Sequence, residues 1–307
     1  MSVSVAEAPP ALTPRRAAWG KVWRNNAVRL GGVLLFTLIL ISILAPWLGT
    51  IDPAGIDPEN RDLLPGTSGN VMTLTGENFA HHFWMGTDSY GRDIYSRVLY
   101  GGRVSLLVGI CVAILSLVVG IGIGLAAGYF RWLDAVLMRV MDGLMAIPGI
   151  LLAIALVALW QASLLTVIVA IAVPEVPRVT RLVRALVLSI REELYVEAAV
   201  SVGTSTLKLL WRHVLPNTVA PLIVQGTYIC ASAILVEAIL SFLGVGLPTD
   251  VPTWGNVMAE GRLHFNTFPH NVLFPGVFLA VTVLAVNMLG DGLRDTLDPR
   301  FNKRGDK

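Results

Sequence analysis

The sequence predicts an all-α membrane protein of six transmembrane helices with both termini on the same side. Three observations carry this. Of 307 residues, 54% are hydrophobic and only 14% charged, with a mean hydropathy of +0.68, against about 25% charged in soluble proteins. The missing charge is concentrated in long runs, 27 residues from Val104 to Phe130 and 32 from Gly143 to Pro174. Lys and Arg are also shared unequally between alternate connecting segments, which sets orientation. Such a composition excludes a soluble enzyme, a disulfide scaffold and a disordered chain, and makes the lipid bilayer the first partner. A net charge of +2 gives no reason to expect nucleic acid.

The first span, Leu30–Leu48, follows a segment bearing Arg15, Arg16, Lys21, Arg24 and Arg29. Its 19 apolar residues exceed the hydrophobic stretch of a cleaved leader, so it reads as a retained helix. The second span is Val104–Tyr129. The uncharged run after Gly143 would measure about 48 Å as one helix, too long for a core of about 30 Å. Dividing it at Trp160–Ser163 gives spans Val140–Trp160 and Leu164–Leu188, the latter kinked by Pro174 and Pro177. Thr218–Leu247 and Val272–Gly290 complete the set. With the N-terminus inside, inner segments hold 18 of the 23 Lys and Arg, so the topology is N-in and C-in. The chain then divides into a cytoplasmic segment 1–29, a first span with a long outer loop 30–102, a five-helix core 103–292 and a cytoplasmic tail 293–307. The outer loop, Gly49–Gly102, is long enough to hold structure of its own.

Chemistry-bearing residues are sparse. Cys111 and Cys230 lie in apolar runs without a metal spacing and read as buried thiols. His81, His82, His264 and His270 fall on the outer side with no i, i+4 pair, so no metal site is expected. No catalytic constellation is visible. There is no G-x-x-x-x-G-K-[ST], because the one Gly-Lys, Gly20-Lys21, is followed by Val22. The chain has no phosphate cradle, and any ATP must be bound by another polypeptide. Gly120, Gly124 and Gly128 share one helix face and permit close packing. Ionisable residues within spans are functional candidates by default. Glu237 either lines a pathway or is satisfied by neighbouring groups. Asp142 and Glu175 either line a pathway or join helices. Arg178, Arg181 and Arg184, three apart, are expected to snorkel to head groups.

The inner segment 195–216 reads as a short helix with Glu197, Ala198 and Ala199, a break at Gly203, a second short helix and a stop at Pro216. On the second helix Leu207, Leu210, Trp211 and Val214 group on one apolar face. Such a helix lies in a partner's groove or on a membrane surface.

This segment resembles the EAA loop of ABC-importer permeases, E-A-A-x3-G-x9-I-x-L-P. It matches at Glu197, Ala198, Ala199, Gly203, Leu215 and Pro216, with His213 where the pattern has Ile. A second stretch, Met85-Gly86-Thr87-Asp88 continuing to Gly91-Arg92-Asp93 and Ser96-Arg97, resembles the LGTDxxGRDxxSR motif of the dipeptide/oligopeptide/nickel permeases. Ser241–Gly246, Trp254-Gly255 and Asn287–Pro299 are similar to that branch as well. The long outer loop together with the C-terminal motif resembles the C-type member of a two-permease pair.

The resemblance implies a type I ABC-importer permease fold in a bacterial inner membrane. It implies a homologous B-type permease, two ATPase subunits carrying ATP and Mg, and an extracytoplasmic substrate-binding protein. In that family the EAA loop docks on an ATPase, which assigns coupling to Glu197, Ala198, Ala199, Gly203, Leu207, Trp211, His213, Leu215 and Pro216. The implied cargo is dipeptides or oligopeptides; nickel, glutathione or another small solute would keep the same architecture. A reading from another class, a stand-alone secondary transporter with Glu237 as proton site, fits poorly with a docking-type loop and no obvious internal repeat.

Overall fold

The computed structural model describes residues 22–72 and 78–297. Arg15, Arg16 and Lys21, the basic tail beyond Leu297 and residues 73–77 lie outside them. Helix α1 (Asn26–Leu44) starts where the Asn25 side chain accepts from the amides of Ala27 and Val28, satisfying two of its first donors. It closes in a single 3₁₀ turn, Ala45–Trp47, opened by Pro46. The long loop after α1 does hold structure of its own. Strands β1 (Thr67–Met72) and β2 (Asn78–Phe83) form an antiparallel hairpin with Thr67 opposite Phe83.

Helix α2 (Ile94–Tyr129) has 36 residues, about 54 Å at the usual rise, and begins ten residues before the expected Val104. Asp93 is its cap, its carboxylate accepting from the Ser96 amide at 3.0 Å. Charge explains the early start: Arg97 and Arg103 interrupt the hydropathy pattern without interrupting the helix. One end of α2 meets the hairpin and the other meets segment 195–216, so it spans the long dimension of the fold.

The expected third span is not one helix. Helices α3 (Arg131–Met145) and α4 (Gly149–Leu159) meet at 88° across Ala146–Pro148. Pro148 cannot continue α3, and its fixed φ opens α4. Helix α5 (Leu164–Arg191) is capped by Ser163 and runs through both Pro174 and Pro177. Then come α6 (Leu194–Ser201), α7 (Thr206–Leu209), a π turn (Leu210–Val214), α8 (Leu215–Phe242), α9 (Trp254–Gly261) and α10 (His270–Leu297).

Among the described residues, four stretches are long and apolar enough to cross a membrane: Asn26–Trp47, α2, the continuous Thr206–Phe242 and His270–Thr296. The bent α3–α4 pair makes a fifth if taken as one span. Helix α5 has the length, with 28 residues, but carries Glu175, Arg178, Arg181 and Arg184 toward its C-terminal half.

Helix α2 is the spine, and its largest contact is with α5. A Cβ built on Gly120, Gly124 or Gly128 would stand 2.5, 2.6 or 2.7 Å from the Cβ of Val179, Val183 or Val187. The four-residue steps on both helices interlock, so the missing side chains set how closely the helices approach. The buried core continues through Val108, Val112, Ile229 and Leu240. A second cluster, around Ile94, Val98, Ile234 and Trp254, joins α2 and α8 to α9 at the hairpin end. There the Trp254 indole donates to the Val98 carbonyl at 3.0 Å. Helix α10 packs on α1 and α8.

Candidate functional site

Segment 195–216 forms an exposed elbow at the end of α2 opposite the hairpin. Glu197 and Ala198 are exposed and Ala199 is half-buried on α6, while Val196 points inward. Gly203 ends α6 in a left-handed conformation, φ +81°. Its amide donates to Val200 and the Thr204 amide to Ala199, the Schellman arrangement that satisfies orphan carbonyls. The motif's glycine is therefore a helix terminator, and an L-residue would be strained there.

The apolar positions beyond Gly203 do not share one face, as the sequence pattern suggested. Leu209, Leu210 and Val214 are buried, whereas Leu207 is 69% and Trp211 64% exposed. Leu210 and Val214 pack into the main core, leaving Leu207 and Trp211 on the outside. Together with the exposed Leu194, Val200 and Val202 they offer an unpartnered apolar surface on an otherwise polar elbow. His213 is half-buried, and its carbonyl accepts from the Asn217 amide group at 2.7 Å.

Pro216 is not a stop. The π turn runs straight into α8, with half-buried Leu215 and exposed Pro216 in the first turn. The widened turn relieves the clash a proline ring makes with the carbonyl four residues before it. The Tyr129 hydroxyl at the end of α2 lies 3.4 Å from Thr206 Oγ1 of the elbow, and the ends of α2 and α5 are tied to each other beside it. Arg191 donates to the carbonyls of Gly128 and Tyr129 at 3.0 and 3.3 Å, and its guanidinium lies over the Tyr129 ring. A recess of about 520 Å³ between Tyr129, Arg191 and α6 includes Glu197 in its wall.

At the other end, the second motif folds into a buried polar knot. Thr87 accepts from the Leu63 amide and donates to the Asn60 carbonyl at 2.6 Å. Asp88 receives the amides of Tyr90 and Arg92 and the Arg92 Nε at 2.7 Å. Gly91 turns so close under the Asp57 carbonyl that no side chain would fit. Ser96 donates to Asp93 and accepts from the Ile51 amide. Arg97, fully buried, reaches the Pro53 carbonyl at 3.1 Å and Glu260 at 3.3 Å, while Arg92 bonds the same Glu260. Gly86 turns beside His270. Burial pushes the Glu260 carboxyl above its ordinary value, and Arg97 and Arg92 pull it back. Glu260 escapes sequence reasoning because it lies far from the motif it completes.

The three acidic candidates occupy different places. Glu237 is wholly buried between α2, α8 and α9, accepting from Ser241 Oγ at 2.9 Å and Ser105 Oγ at 3.2 Å. Asp142 is exposed and paired with Arg181 at 2.5 Å across α3 and α5. Glu175 is nearly buried and paired with Arg178 at 2.9 Å. Arg184 makes two bonds to Asp134, at 2.5 and 2.7 Å. The three arginines therefore meet carboxylates of the protein, where the sequence reading sent them to head groups.

A long helical spine, an exposed apolar elbow and a bent helix pair, with several stretches long and apolar enough to cross a bilayer, are the architecture of a helical membrane protein. The chain belongs to the family of binding-protein-dependent transport system inner membrane components, whose model matches residues 116–303. A second model, the N-terminal TM domain of oligopeptide transport permease C, matches residues 13–65. The chain is 50% identical to a probable peptide ABC transporter permease of Sinorhizobium fredii, covering 92% of this chain and 91% of that one. It is 41% identical to a dipeptide transport system permease of Alkalihalophilus pseudofirmus, over 95% and 91% of the two chains. It is 38% identical to a glutathione transport system permease of Pectobacterium atrosepticum, over 94% and 92%. In fold it is similar to a chain of the inward-facing MetNI methionine ABC transporter, with a TM-score of 0.54 and 16% identity, over 65% of this chain and 95% of that one. The protein is an ABC-importer permease subunit, and the families it matches are transport components and not nucleotide-binding ones.

Proposed function

We propose that this chain is the C-type permease of a bacterial importer of short peptides and forms half of a translocation pathway with a B-type permease. Six crossings, with α5 as one of them, place both termini and segment 195–216 in the cytoplasm. Two ATPase subunits, which carry the ATP and Mg, grip that segment through Leu207, Trp211 and neighbouring apolar side chains. Closure of the ATPases moves the elbow; Arg191 and Tyr129 pass the movement to α2 and α5, and the pathway changes the side to which it opens. An extracytoplasmic binding protein delivers the cargo. One observation carries the reading: exposed Leu207 and Trp211 stand on a motif that aligns with an ATPase-docking loop, in a chain half identical to a probable peptide permease.

The test is reconstitution with the partner subunits and the cognate binding protein. ATP-dependent uptake of labelled di- and tripeptides is expected, and none by this chain alone. Binding of a metal chelate and no peptide by that binding protein would replace the cargo while leaving the architecture intact.

A further inference from the structure

Helix α4 has 11 residues, about 16 Å, half of what a bilayer core requires. From Leu164 to Pro174, α5 covers the same length. The α3–α4 bend and Pro174 therefore lie at one depth, near the middle of the bundle, and a Cβ on Gly149 would stand 3.3 Å from the Pro174 Cβ. Broken helices at membrane depth occur where the backbone is buried in protein or lines a cavity. Here there is a cavity of about 320 Å³, walled by Met145, Pro148, Ile171, Pro174, Ser232 and Val236 together with Glu175 and Arg178.

The cavity's charge pair is one-sided. Both Glu175 oxygens accept from Arg178 Nη1, at 2.9 and 3.1 Å. Arg178 Nη2 and Nε make no hydrogen bond among the described residues, and its side chain is 57% exposed. Glu175 thus holds one corner of the guanidinium while the opposite edge, a fork suited to a carboxylate, faces open space.

We infer that Arg178 is a substrate-binding residue that takes the terminal carboxylate of a peptide in transit, and that Glu175 is its positioning residue. The inference rests on the peptide-importer reading and deepens it.

The test uses the full complex in proteoliposomes and a tripeptide with its C-terminal amide, chosen so that the binding protein loads both equally. The wild-type complex should carry the free acid about tenfold faster or more, the scale of one lost charge-assisted bond. Arg178→Gln should slow the acid to the rate of the amide without changing the yield of assembled complex. Arg178→Lys should restore part of the preference, which a merely structural role would not do. Equal rates for acid and amide in the wild type, or an unchanged preference in Arg178→Gln, would overturn the assignment. A wild-type complex that carries neither peptide would overturn the peptide reading itself and this assignment with it, a result distinct from carriage without preference.

Discussion

The Arg97 guanidinium, fully buried, lies 3.3 Å from the carboxylate of Glu260, a residue 163 positions further along the chain. Arg92 bonds the same carboxylate. This contact ties the long loop after α1 to α9, and so fixes the hairpin end of the bundle. Removing Glu260 leaves two arginines buried with Asp88 as their one carboxylate partner among the described residues. Breaking a buried pair in this way costs about 3–5 kcal/mol. Glu260→Ala should therefore lower the melting temperature and open the loop to protease. Glu260→Gln, which keeps an acceptor but no charge, should fall between. Equal resistance in all three proteins would contradict a structural role for the knot.

The glycine stripe gives a second prediction with an internal control. Gly124 faces Val183, whereas nothing lies within 4 Å of a Cβ placed on Gly122 of the same helix. Gly124→Ala should destabilise the chain by about 1–3 kcal/mol through overpacking. Gly122→Ala should be neutral or gain up to about 1 kcal/mol from helix propensity. Val183→Ala should partly rescue Gly124→Ala, because the two share one contact. Thermal denaturation of the four purified proteins in detergent reads all of this.

These two sites also mark what the amino-acid order reveals. The four-residue glycine spacing is a local signal and is legible in the sequence. The uncharged run likewise locates α2, but not its start, because Arg97 and Arg103 belong to the helix. Glu260 answers one of them, and the carbonyls of Ser42 and Ile43 answer the other at 2.6 and 2.9 Å. The 88° bend is invisible to hydropathy, since Ala146 and Ile147 are as apolar as their neighbours. The Pro148-Gly149 dipeptide is a local turn cue, which a span drawn from Val140 to Trp160 passes over. At the elbow, helical spacing put Leu207, Leu210, Trp211 and Val214 together. The π turn breaks that period, and the core claims only Leu210 and Val214. Partners distant in sequence and departures from the 3.6-residue period are what periodicity does not encode.

The elbow itself yields a separation of folding from coupling. Leu207 and Trp211 touch little of this chain, so Leu207→Asp or Trp211→Glu should leave its yield and melting behaviour unchanged. If they anchor the ATPase, either change should weaken assembly by about 2 kcal/mol or more, the scale of an interface hot spot. Val214→Asp, at a buried position, should instead damage the fold. Gly203→Ala forces a side chain into the left-handed region at a cost of about 1–2 kcal/mol, and should lower solute moved per ATP hydrolysed. Pull-down of the ATPase subunits with each variant distinguishes these effects. Normal assembly and coupling with Trp211→Glu would remove the elbow from the mechanism.

Glu237 is the sharpest test between a driven permease and a self-sufficient one. Its two oxygens accept from Ser241 and Ser105 inside the packing of α2 and α8, which is the setting of a group that joins helices. Glutamine retains one acceptor at the same place, so Glu237→Gln should leave ATP-dependent uptake little changed. Leucine would leave two buried hydroxyls without their acceptor, at about 1–3 kcal/mol each, and Glu237→Leu should be visibly less stable. A carboxylate that shuttled protons would behave otherwise, because glutamine cannot carry the proton, and uptake driven by a pH gradient would vanish in Glu237→Gln while stability was spared. Measuring uptake by the chain alone under a proton gradient, beside the complete complex with ATP, separates the two. Transport by the isolated chain that disappears with Glu237→Gln would assign the driving force to this residue; transport only in the complex, surviving the change, leaves Glu237 as a joint between helices.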